Sequence, residues 1–209
     1  MNSPYINSYG LLNAKLADDV AENSPLWSLE YLLLKHDSLL LENLVTFIRS
    51  SHTQYPGLYN QRPFVTDSPD DYMSPDQLIA FVGALKLADA SLAIKHIWRY
   101  LRSHFFTYDN LTGKTNFDRT MQLSAISFVG VCAGKWWWLP LLSAVCIWSC
   151  ITNKTQTSGR LKAWVMSDVT GLSLTRKVMD FFVNRHWGSW KNVFFEYFKE
   201  EEHPIRSLL

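Results

Sequence analysis

The chain has almost no net charge: 20 basic residues stand against 19 acidic ones, which leaves +1. A balance of that kind supplies no global field to draw the protein onto nucleic acid, and the expectation is that it does not bind nucleic acid. Cysteine is scarce as well. The three that occur, Cys132, Cys146 and Cys150, are odd in number and fall within or beside the most apolar stretch. A disulfide framework is therefore excluded, and the three read as buried, reduced, small hydrophobes. No Gly-rich phosphate loop, no G-x-S-x-G elbow and no H-E-x-x-H pattern is present, and no cofactor or metal is expected. Strand signals are equally thin. No segment alternates cleanly between apolar and polar, and no Asn-Gly or Asp-Gly pair offers a hairpin turn. The N-terminus, MNSPYINSYG, has neither a basic stretch nor an apolar stretch of the kind a secretory signal needs. The sequons at Asn110 and Asn153 accordingly read as chance matches.

Helical spacing and helix punctuation are what the sequence does contain. With 209 residues, 47% of them apolar, the chain is long enough for one helical domain over 1–209 with a substantial core. The aromatic share of 14%, with nine Trp, means that rings must fill much of that core or an interface. Leu12, Leu16 and Val20 predict a first helix over 11–22, and Ser24-Pro25 predicts a start for a second that runs to His36. Asp37 and Ser38 either cap a further helix or lie inside one long bent helix. Residues 52–74 form the longest irregular stretch and end in Ser74-Pro75-Asp76-Gln77, a full capping box for a helix running to about Leu87. Leu92, Ile97, Leu101 and Phe105 suggest the apolar stripe of the next helix. Others follow at about 117–132, 139–151, 160–168, 172–186 and 189–201, separated by a turn at 107–116, a polar stretch at 152–159, Gly171 and Gly188. The expected fold is all-α, with about eight helices joined by short links and packed as antiparallel hairpins.

Four places carry candidate chemistry. The first is the acidic loop, where Asp67, Asp70, Asp71 and Asp76 cluster beside Tyr72. Such carboxylates could hold a hard cation, or serve as the acid and base of glycoside hydrolysis, though no EF-hand spacing is present. Turn formation and helix capping account for the same residues without chemistry. The segment DSPDDYMSPDQLIAF, 67–81, resembles the loop-to-helix junctions of helical-hairpin toroid proteins, including six-hairpin glycosidases, and also segments of uncharacterised bacteriophage proteins. The resemblance implies a partial α/α toroid, since a complete one takes twelve helices. It also implies either a glycan-acting hydrolase working through those aspartates or a phage structural component located in the host cytoplasm or the virion.

The second place is the run from Trp136 to Ile151, which holds no charged residue and is bounded by Lys135 and Lys154. It falls short of the roughly 20 residues that cross a bilayer and is interrupted by Pro140. Burial of the whole run inside the fold or an assembly is expected; contact with lipid is the less favoured alternative. Third, Lys95, Arg99 and Arg102 form a basic stripe at i, i+4 and i+7, read as a solvated helix face. His96 and His104 lie on that same helix and are read as structural. Fourth, Trp190, Phe194, Tyr197 and Phe198 repeat at helical spacing near the C-terminus; they form a core face or, alternatively, an anchor for a protein partner. Taken together, these features favour a non-enzymatic helical scaffold or interaction protein whose partner is another protein or a second copy. The hydrolase and the membrane-associated protein are the alternatives.

Overall fold

The structure is a computed structural model describing residues 6–13, 24–60, 63, 74–104, 106, 119–152 and 157–200, with backbone alone at 119–121, 152, 157–158 and 198–200. Among the described residues there are nine α-helices and no strand: α1 (Ser24–Lys35), α2 (Ser38–Ser50), α3 (Pro75–Leu87), α4 (Ser91–Ser103), α5 (Arg119–Cys132), α6 (Leu139–Thr152), α7 (Thr157–Val169), α8 (Ser173–Trp187) and α9 (Trp190–Glu200). A 3-10 turn, Trp136–Trp138, leads into α6. The protein is all-α, as its spacing and breakers predict.

Local chemistry sets most of the boundaries. α1 ends where His36 turns into the left-handed region at φ 55°. Asp37 then caps α2, its Oδ1 accepting from the backbone N–H of Leu39 at 3.1 Å and Leu40 at 3.2 Å. These are therefore two helices and not one bent rod. At α3 the capping box is complete: Gln77 N–H donates to Ser74 Oγ at 3.4 Å, and Ser74 N–H donates to Gln77 Oε1 at 3.1 Å. Two orphan donors of the first turn are thereby satisfied. Asp89 at φ 54° separates α3 from α4, and Gly171 and Gly188 take positive φ between the last three helices.

Expectations for the first helix and for the stripe of α4 need correction. The first helix does not include residues 11–13. Ile6 and Leu12 form an isolated antiparallel bridge closed by a turn, in which Asn7 Oδ1 accepts from the N–H groups of Tyr9 and Leu11. An Asn side chain that satisfies nearby backbone donors competes with the helix, and here it wins. Residues 14–22 lie outside the described residues, as does the turn at 107–116. The stripe of α4 is also phased differently, because Leu92 is 66% exposed while Ile94, Ile97, Trp98 and Leu101 are buried. At about 100° per residue, five positions carry Leu92 some 140° away from Ile97, so the two cannot share a face.

Buried side chains from every helix form one cluster reaching from Leu11 to Tyr197. α3 sits within it. Residues 77–85 are buried all round, and α1, α2, α4, α5 and α7 pack against them. A helix buried on every side must be apolar on every side, which explains why α3 carries no polar face. Consecutive helices pack on one another along the chain, from α1 against α2 to α8 against α9.

The apolar run is only half buried, contrary to expectation. Leu142, Val145, Cys146, Ser149 and Cys150 face inward against α5, α7 and α8. Trp136 is 75% exposed, and Trp137 and Trp148 are each 57% exposed. α6 has neighbours on one side, and a run without charge reports its composition without saying which face a neighbour covers. No helix among the described residues is long and apolar enough to cross a membrane.

Candidate anion-binding groove

The sequence places its first candidate chemistry at the acidic loop. Asp67, Asp70 and Asp71 lie outside the described residues. Asp76 sits in the first turn of α3, where its Oδ2 accepts from Lys162 Nζ of α7 at 2.6 Å. That carboxylate complements the positive end of α3 and ties it to α7. No group of three or more His, Cys, Asp or Glu that could hold a metal exists among the described residues.

Two of the C-terminal aromatics lie inside the molecule. Phe194 and Tyr197 are buried, and Phe194 meets Trp164 edge-on at 5.0 Å. Trp190 is half-buried and donates through Nε1 to Asp180 Oδ1 at 2.6 Å. The Arg176 guanidinium lies 5.1 Å from the Trp164 ring and 5.0 Å from the Trp190 ring, and pairs with Asp180 at 3.0 Å. These contacts join α7, α8 and α9. The side chain of Phe198 lies outside the described residues.

The three cysteines are free and buried. Burial pushes each thiol up to about 12; Lys86 partly opposes this at Cys132. Thiols so far from the thiolate form are poor nucleophiles and poor metal ligands at neutral pH. His96 is part-exposed within α4, and His104 stacks on Tyr100 at 4.0 Å.

The basic stripe of α4 turns out to be one wall of a groove. Burying Ile94, Ile97, Trp98 and Leu101 forces Lys95, Arg99 and Arg102 to the other side of the helix. Just past the end of α5, Gly134 turns the chain back with a φ of 80°, and the N–H of Lys135 donates to the Gly130 carbonyl at 2.9 Å. The turn brings Lys135 to the opposite wall, with Ala133 and Trp98 beneath and Ser103 alongside, around a volume of about 510 Å³. That lies in the range of small-molecule sites, roughly 300–1,000 Å³.

The floor is rigid for an identifiable reason. Gly130 has no side chain, and a Cβ there would meet the Trp138 ring at 2.9 Å and the Trp98 ring at 3.1 Å. The glycine that weakens α5 by propensity thus admits two indoles against its backbone. Trp98 and Trp138 pack edge-to-face at 5.7 Å, and Phe106 sits 5.7 Å from both.

One feature of the groove suggests a ligand. Four cationic side chains, Lys95, Arg99, Arg102 and Lys135, line one volume, and among the described residues no carboxylate forms an ion pair with any of them. The Nε1–H of Trp98, a side chain only 6% exposed, is enclosed and has no hydrogen-bond partner among the described residues, so it does not open onto the groove. Three of the four cations were legible as a helix stripe. Lys135 was not, because it reaches the groove through a tertiary turn; the glycine just before it was the only local cue.

Compared with protein-family models, curated proteins and solved structures, the chain matches none of them.

Proposed function

We propose that this chain is a non-enzymatic helical interaction protein that engages a phosphate-bearing partner through the groove between α4 and the α5–α6 connection. The observation that carries the reading is the convergence of Lys95, Arg99, Arg102 and Lys135 on one volume without a described counter-charge. Mutually repelling cations held on two separate elements are relieved by an anion, and guanidinium groups match the oxygens of a phosphate in geometry as well as charge. The remaining described reactive groups support a binding role over a catalytic one: Asp76 is held by Lys162, and the thiols are buried and protonated. A place in a bacteriophage particle, and the partial toroid, rest on the resemblance of residues 67–81 alone.

Titration of the full chain with inorganic tripolyphosphate, followed by calorimetry and by tryptophan fluorescence, tests the reading. Binding that weakens with salt and is lost in Arg99→Ala/Arg102→Ala supports it. Absence of binding at low salt, or binding indifferent to those substitutions, removes it.

A further inference from the structure

Resting on that reading, we infer that the phosphate belongs to an anionic lipid headgroup, and that the groove and the exposed face of α6 together dock the protein on a membrane surface without crossing it. Pro140, Ala144, Trp148 and Ile151 recur at four, four and three residues along α6, and all are exposed. Helical geometry aligns them in one stripe. Trp136 and Trp137 extend that surface beyond the N-terminal end of the helix, and no charged residue interrupts it from Trp136 to Thr152. Lys135 joins the two features: it lines the groove, directly precedes Trp136, and holds its Nζ 5.6 Å from the Trp137 ring centre.

A cluster of cations bordering an uncharged face rich in exposed indoles is the composition of an interfacial surface. The cations meet headgroup phosphates while the indoles settle at the boundary between headgroups and acyl chains. Charge complementarity decides between this occupant and the others. In a two-fold contact through Trp136 and Trp137, the adjoining groove of each copy would lie beside that of the other, setting cations against cations. Single-stranded nucleic acid would use the groove, but it asks for successive ring faces on which bases can stack. The Trp136 and Trp137 rings stand at 78° to one another, and the uncharged stripe of α6 continues past them with nothing for a phosphate backbone to meet.

Flotation of the full chain with phosphatidylcholine vesicles, with and without phosphatidylglycerol, tests the inference; a single-stranded oligonucleotide serves as the competing probe. Binding is expected only to the vesicles containing phosphatidylglycerol, with Trp136 and Trp137 fluorescence quenched by brominated lipid. Arg99→Glu/Arg102→Glu is expected to weaken vesicle binding about thirty-fold or more. Trp136→Ala, at a ring 75% exposed and not the one that carries Lys135, should weaken it about fivefold while leaving tripolyphosphate affinity intact. Tripolyphosphate binding without vesicle binding would overturn the membrane inference and leave the groove reading standing. So would vesicle binding unchanged in Trp136→Ala, or displacement from vesicles by the oligonucleotide at lower concentration than tripolyphosphate requires. Loss of both kinds of binding removes both readings.

Discussion

Trp27 in α1 donates its indole N–H to the hydroxyl of Tyr197 in α9 across 2.9 Å, linking two residues 170 positions apart. Both side chains are buried, at 4% and 5% exposure. The bond closes the fold by tying its first described helix to its last.

Removing that hydroxyl isolates the bond. Tyr197→Phe keeps the ring in the core but removes the hydroxyl that accepts from the Trp27 N–H. The expected loss is about 0.5–1.5 kcal/mol, the net contribution of a typical intramolecular hydrogen bond. Urea denaturation at constant m-value reads it. Trp27→Phe in the same background should add less than it does alone, because the bond is already gone.

The capping box of α3 gives a second test. Ser74→Ala should cost about 1 kcal/mol, and Gln77→Ala should cost less once Ser74 has been replaced, since the two bonds are reciprocal. A double-mutant cycle by thermal or urea unfolding measures this coupling. Additive losses would mean that the two side chains cap independently.

Gly57 is held at φ 89° in the turn after α2, and a Cβ there would collide with the backbone carbonyl of His96 in α4. Backbone cannot move aside as a side chain does. Gly57→Ala is therefore expected to cost on the order of 2–4 kcal/mol, from the left-handed conformation and the overlap together. A shift of the unfolding midpoint by less than half of that would show that the turn relaxes away from α4.

What the sequence made legible was local. Ser74, Pro75 and Gln77 announce a helix start because all the groups involved lie within one turn, and Asp37 does the same for α2. Leu11 and Leu12 were misread because their helical spacing competes with a turn organised by Asn7, whose advantage depends on closing onto Leu11. The composition of α6 was plain, but which of its faces stays open depends on where α5, α7 and α8 arrive. The groove lay between these cases. Lys95, Arg99 and Arg102 share a helix face by arithmetic, whereas Lys135 joins them only because Gly134 reverses the chain.

The thiols give a prediction in pH. Cys132, Cys146 and Cys150 are each pushed by burial from an ordinary value near 9.0 to about 12. Below about pH 9 both the folded and the unfolded chain hold these protons, and the shift contributes no pH dependence. Between pH 9 and 12 the unfolded chain releases its thiol protons while the folded chain keeps them, so stability must fall as pH rises through that window. The slope approaches about 1.4 kcal/mol per pH unit for each thiol that remains buried. Urea unfolding at a series of pH values should show this decline, and Cys146→Ala should make it shallower even where the substitution lowers stability overall. The same burial should keep all three thiols unreactive toward Ellman's reagent at pH 8 in the folded chain, with three equivalents released in denaturant. Rapid reaction of any one of them in the native protein would show that its side of the core opens to solvent, and would remove its share of the alkaline slope.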